Sequence, residues 1–336
     1  DAHANLILSW TGSGEAGTAP ALAFSAHLDH PGFHYLGEEG GTHRASFHGG
    51  VPLDRFAGAA LRFFDPSTRE AHATARVRSA QHEADGAVVA ELEELEGEAR
   101  PGLFGTWDLT PGELRGGRLL SRACDDLVGA AAILCALELL SREDHPGRIL
   151  GIFTRAEETG FVGCQSLLRS GALGSGICVV GLECSAARAS ARVGGGPVIR
   201  VGDAASVFDP AITHHLQEAA ATLREEHEGF RFQRALMDGG RCESTAYNLW
   251  GVRAGGLCLA LGNYHNCGED GAIAPEIVDW DDCEGLLAML VACARSWGRS
   301  DAEARMRERL DRVWERESES LAGSSARLLG AKAEKA

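Results

Sequence analysis

The chain has 336 residues, 44% of them hydrophobic and 24% charged, with a formal net charge of −16. That composition describes an ordinary folded protein, long enough for one large domain with a sizeable insertion. The acidic balance excludes nucleic acid and anionic membranes as partners, because both need a basic face, and no apolar run approaches the roughly 18–20 residues of a membrane span.

The opening stretch DAHANLILSW lacks the basic start and cleavage site of a signal peptide. All ten cysteines fall after residue 123, singly, several of them in apolar stretches such as AAILCAL and GLCLAL. There they act as small hydrophobes, and a reducing, cytoplasmic compartment is expected. The segment GSGEAG (12–17) lacks the G-K-[ST] of a phosphate loop and reads as a hairpin turn. ALAFSAHL (21–28) is a short apolar strand ending in His27. Residues 37–118 differ: Gly, Pro and Thr recur, and AHATARVRSA and GAVVAELEEL alternate, which predicts a small inserted β-barrel-like domain. DDLVGAAAILCALELLSRE follows as a helix opened by Asp, then RILGIFT, ICVVGLE and GGLCLALG as three more buried strands. VDWDDCEGLLAMLVACARSW is a second helix with an acidic start. Strands separated by helices predict a mostly parallel sheet, hence an α/β domain over 1–36 and 119–300. A charged helix over 301–320 carries a thin stripe of Met306, Leu310, Val313 and Trp314 that docks on this chain or a sister subunit; 321–336 reads as a flexible tail.

Ligand-capable residues recur wherever a predicted parallel strand ends or the first helix begins: His27 and Asp29, Asp125 and Asp126, Glu157 and Glu158, Glu183, His265. Carboxyl ends of strands form the binding crevice of an open α/β sheet, so these groups are expected to converge. So many carboxylates together are intolerable without cations, and two divalent ions bridged by one carboxylate would neutralise them. His27 suits a metal because Asp29, two residues on, can accept from its other ring nitrogen. Of the adjacent glutamates, one binds metal while the other takes a proton from a water whose acidity the metal has raised.

The order H-x-D, D-D, E-E-x-G, a later carboxylate and a late His resembles the co-catalytic metallopeptidases. The 98 positions from His27 to Asp125, with the insertion between them, are similar to the glutamyl/tetrahedral aminopeptidase group, also classed as cellulases. HANLILSW, AHLDHPGF, RACDDLVG, GGGPVI and HNCGEDGAIAPEIVDWDD fit that group over about residues 4–298. The resemblance implies a zinc-exopeptidase (phosphorylase/hydrolase-like) fold. It implies one metal on His27, Asp125 and Glu183 and a second on Asp125, Glu158 and His265, with Glu157 as base and Asp29 orienting. It also implies assembly through the inserted domain, from dimer to dodecamer. The sequence departs at His30-Pro31 for Glu-Val, Leu127 for Arg, Glu183 for the usual Asp, GNYHN for Arg-Tyr-x-His-Ser, and GGRCESTA for G-G-T-D-A. Arg241, as holder of a substrate carboxylate, and His30, at the substrate rim, are substrate candidates.

The expected function is therefore an aminopeptidase acting on short peptides with two divalent ions, zinc first and cobalt or manganese as substitutes. The alternatives are a deacylase or amidohydrolase on a small amide with the same metals, and a non-catalytic homologue.

Overall fold

The computed structural model describes residues 1, 3–12, 21–143, 147–298 and 302–333. The expected hairpin at 12–17 therefore lies, beyond residue 12, outside the described residues. In chain order the strands are β1 (Leu6–Thr11), β2 (Ala21–His27), β3 (Gly32–Glu39), β4 (Thr42–His48), β5 (Ala60–Phe64), β6 (Ala71–His82), β7 (Val88–Gly97) and β8 (Phe104–Trp107). They continue with β9 (Glu113–Arg115), β10 (Arg118–Ser121), β11 (Arg148–Thr154), β12 (Ile177–Gly181), β13 (Cys184–Ala186), β14 (Val198–Asp203), β15 (Gln233–Met237), β16 (Arg253–Leu261) and β17 (Glu276–Asp279). The helices are α1 (Leu127–Ser141), α2 (Val162–Ser170), α3 (Pro210–Glu226), α4 (Glu243–Leu249), α5 (Trp280–Ser296) and α6 (Ala302–Ala333).

The central sheet runs β1-β11-β2-β12-β16-β14-β15, with β13 paired to β16. Its middle, β11-β2-β12-β16, is parallel; β1 on β11 and β14 on β16 are antiparallel. Parallel strands covered on both faces need side chains that are apolar throughout, and β2 and β11 are accordingly buried over all but their first residue. One face packs on α1, α3 and α5 around Phe24, Ile133, Leu216, Leu257 and Met289. The other packs on α2 and α4 around Ile152, Leu167, Val179 and Tyr247. α3 starts cleanly because the Asp209 side chain accepts from the Ala211 and Ile212 N–H groups and Pro210 needs no partner.

Strands β3-β4-β7-β6-β5-β8 close a barrel. Alternating burial along β3 and β6 turns one side chain in two toward a core of Phe33, Phe47, Phe56, Phe63 and Trp107. The barrel spans 32–107, different bounds from the expected 37–118: β3 belongs to it, while β10 pairs with β17 on one side and β9 on the other in a separate three-stranded sheet. β10 left the barrel, taking β9 with it, because Arg118–Ser121 register against Glu276–Asp279, a partner about 160 residues away.

Three helices, α2, α3 and α4, were not anticipated. α2 and α4 have only nine and seven residues, whereas α3 has 17 and carried a legible signal, Ile212, Leu216, Ala219 and Leu223 at helical spacing behind Asp209-Pro210. The tail expected to be flexible from 321 continues α6 to Ala333. AGSSARLLGAKA is mostly Ala, Leu, Arg and Lys, strong helix formers that carry the isolated glycines. No helix among the described residues is long and apolar enough to cross a membrane.

Candidate metal centre

Each residue of the site is delivered by a strand end or a turn beside it. β2 ends in His27, and β11 ends at Thr154, just before Glu157 and Glu158. Glu183 lies between β12 and β13, not within a strand, and His265 sits in a short turn after β16. Asp125 precedes α1, joined to Asp126 by a cis peptide. Asp126 occupies the N-cap position of α1 without a side-chain capping bond.

Two of these turns are held in left-handed backbone, at Ala156 (φ 56°) before the glutamates and at His265 (φ 52°) and Asn266 (φ 61°). Non-glycine residues adopt that conformation only when their surroundings hold them there. For the glutamates the restraint is Asp29, whose carboxylate accepts the Glu157 N–H at 3.0 Å and the Glu158 N–H at 3.2 Å. This corrects the expectation that the Asp29 carboxylate orients His27. It lies 3.9 Å from His27 Nδ1, which donates instead to the Asp29 backbone oxygen at 2.9 Å. One residue thus orients the imidazole through its carbonyl and the glutamate pair through its side chain. For the second turn the restraint is Glu276, fully buried, which accepts from the N–H groups of Cys124, Asp125 and His265 at 2.8, 3.1 and 3.0 Å.

The side chains meet in two overlapping triads, His27–Asp125–Glu183 and Asp125–Glu158–His265, the candidate ligand atoms of each lying within 4.8 Å of one another. His27 Nε2 is 3.3 Å from Asp125 Oδ1 and 3.5 Å from Glu183 Oε1. His265 Nε2 is 3.4 Å from Glu158 Oε1 and 3.9 Å from Asp125 Oδ2. Two ligands each about 2.0–2.1 Å from a tetrahedral ion stand about 3.3–3.4 Å apart, so three of the four spacings are those of atoms arranged around one cation. His27 Nε2 and Glu158 Oε1 are buried with no hydrogen-bond partner, a costly state that a metal would relieve. His265 Nδ1 donates to the Gly50 carbonyl at 2.9 Å, as His27 Nδ1 does to Asp29. Both imidazoles therefore turn an Nε2 lone pair to the centre. The donor set fits two divalent ions sharing Asp125.

Electrostatics point the same way. Burial, then repulsion from Asp125, pushes the Glu158 carboxyl up to about 9 and Glu183 up to about 8. Burial, then Glu183, raises Glu157 well above the usual carboxylate range. Burial also pushes Asp125 upward, but His27 outweighs it and holds Asp125 low. For His27, burial favours the neutral ring, and the Asp125 and Glu183 carboxylates overcome it and raise its pKa. Protein groups alone leave this cluster short of positive charge.

His30, expected at the substrate rim, belongs behind the centre. Its Nδ1 meets the Asp125 backbone oxygen and its Nε2 meets Asn266 Oδ1, both at 2.9 Å. The Asn266 amide is oriented by donating to the Arg122 and Ala274 carbonyls. His30 and Asn266, two of the departures from the resembled motif, are therefore one contact that steadies Asp125 and the His265 turn together. Arg241 is exposed and lines a small pocket with Glu183, Arg200 and Tyr264. Sequence reading missed Arg200, buried with Nη1 3.8 Å from Glu183 Oε2 and 3.0 Å from Ser185 Oγ. It also missed Glu276 and Glu243, the latter buried and raised to about 7 mainly by burial. A lone charge inside an apolar run, as in PVIRVGD, was the available signal.

A sequence model of the M42 glutamyl aminopeptidases matches residues 68–274. The chain belongs to that family. A curated relative from Acetivibrio thermocellus named "Putative aminopeptidase" is 23% identical over 159 residues, 46% of each chain, so the chain spans about half the length of that relative. Among solved structures, a TET aminopeptidase from a marine sediment archaeon of the Thaumarchaeota superposes with a TM-score of 0.71 at 15% identity, covering 89% of this chain and 86% of that one. The Pyrococcus horikoshii TET1 peptidase, which can assemble into a tetrahedron or a large octahedral shell, gives 0.67 at 18% identity, covering 86% of each. At these identities the family members share the fold, the sheet and barrel described above.

Proposed function

We propose that the chain is a two-metal aminopeptidase that removes N-terminal residues from short peptides. The observation that carries this reading is the pair of triads sharing Asp125, with Glu157 outside both and grouped with His27 and Glu158 beside them. His27, Asp125 and Glu183 would hold one ion and Asp125, Glu158 and His265 the other. Divalent ions there, zinc first and cobalt or manganese with the same ligand types, supply Lewis acidity and lower the pKa of a water toward neutrality. Glu157 takes the proton of the attacking water and returns it to the leaving amine, a role suited to a carboxyl whose pKa is raised by burial. Asp29 positions Glu157 and Glu158 through their backbone N–H groups. The acidic rim receives the free α-amine of the substrate. A panel of peptides with free and N-acylated termini tests the assignment: turnover of the free-amine set alone is expected, and turnover of the acylated set alone would make the protein a deacylase.

Arg241 reads a substrate carboxylate, that of a dipeptide's free C-terminus, from the pocket it shares with Glu183. A hydrogen bond to a charged group is worth about 1.5–3 kcal/mol. Arg241→Ala should therefore lower kcat/KM on a dipeptide roughly tenfold or more and leave the matching dipeptide amide nearly unchanged. Equal losses on both would remove Arg241 from substrate recognition.

The ten cysteines are all free, which fits a cytoplasmic setting. Assembly from dimer to dodecamer through the barrel fits Leu36 and Phe104, large apolar side chains exposed on its surface.

A further inference from the structure

α6 is a 32-residue helix, about 48 Å long at 1.5 Å per residue. It is charged overall, yet Met306, Leu310, Val313, Trp314 and Leu321 stand 46–66% exposed. Their spacing places them on one side, within an arc of about 100° at 100° per residue. Where α6 begins, Arg305 pairs with Glu218 of α3. At that point lies an open groove of about 660 Å³ between α3 and α5, lined by Ala219, Leu223, Leu287, Ala288 and Val291. Among the described residues, one chain therefore carries an uncovered apolar stripe and an unfilled apolar groove. The Arg305–Glu218 pair holds the helix start at the groove's rim, and from there an unbroken helix carries the stripe past it.

We propose that the α6 stripe docks in the α3–α5 groove of a second copy of this chain, each copy giving its helix and receiving the other's. This inference is independent of the peptidase reading. Three observations select a second copy as occupant. The first is that stripe and groove are both present on every chain, so a two-fold exchange satisfies both and closes. The second is charge: Arg295 and Arg305 at the groove pair with Glu143 and Glu218, and Glu226 and Glu284 line it as well, while Arg307 and Arg309 flank the stripe, which also carries Glu317, on a helix with seven basic and six acidic residues in a chain of net −16. The third is area. The five side chains expose on the order of 500 Å², so two helix–groove contacts, each with two faces, bury roughly 2,000 Å², the size of a specific dimer interface.

Sedimentation equilibrium of the full chain at micromolar concentration tests this, with Trp314→Glu on the stripe and Thr222→Arg in the groove. Both positions are exposed, and unchanged far-UV and near-UV circular dichroism would establish that both variants fold. Self-association of the wild type is expected, with each variant weakening by at least tenfold the association step that α6 makes and leaving any barrel contact as it was. A monomeric wild type overturns the proposal. So does an assembly insensitive to both changes, which would place the contact elsewhere. Loss on Trp314→Glu alone also overturns it, because the helices would then be pairing with each other rather than entering the groove.

Discussion

Glu157→Gln is expected to lower kcat about 10²- to 10⁴-fold, the range contributed by a positioned acid–base group, with metal content per chain at the wild-type level. The amide keeps the size and burial of the side chain but cannot carry a proton from the water to the leaving amine. Glu157 is absent from the two triads that share Asp125, although it also lies within ligand distance of His27 and Glu158, so its loss leaves both of those sets of three ligands intact. Its backbone N–H remains held by Asp29, so Glu158 keeps its place. Activity should therefore fall without loss of metal, and elemental analysis alongside steady-state kinetics reads both. Near-normal turnover would remove Glu157 from the chemistry, and loss of metal in parallel would make it a ligand instead.

Asp125→Ala should have the larger effect on the protein itself. Asp125 is common to both triads and lies 3.3 Å from His27 Nε2 and 3.9 Å from His265 Nε2, so one substitution opens both sites. About two ions per chain are expected in the wild type and fewer than one in the variant, measured after dialysis. Metal that binds only the folded chain stabilises it by about 2.7 kcal/mol at a hundredfold excess over Kd. A chelator should accordingly lower the melting temperature of the metal-loaded wild type and leave the variant unmoved. A variant that keeps two ions, or a wild type indifferent to chelation, would rule out the shared carboxylate.

The two experiments separate the parts of the site that were legible in the sequence from those that were not. His27, Asp125, Glu157, Glu158, Glu183 and His265 were each marked by position, beside a strand end or a helix start, because a charged residue there has no local reason to be buried. Asp29 was marked too, but with the wrong contact. Its sequence distance from His27 suggested a side-chain partner, and the turn after β2 instead brought its carbonyl to the imidazole and its carboxylate to a loop about 128 residues on. His30 was misplaced for a similar reason: nothing near it in sequence announces Asp125 or Asn266 as neighbours.

By itself the sequence determined the main buried strands, helices α1 and α5, the presence of a barrel and the kinds of ligand. Unbroken apolar runs make buried strands, alternation makes barrel strands, and carboxylates and imidazoles at strand ends call for cations; all of these are properties of short windows. Only the tertiary structure decided that Glu276 would grip Cys124, Asp125 and His265 at once, that Gly50 of the barrel segment would fix the tautomer of His265, and that β9 and β10 would leave the barrel for β17. Those outcomes depend on which distant segments share an edge or a cavity. That choice is made by packing and hydrogen-bond satisfaction over the whole chain, so no local pattern encodes it.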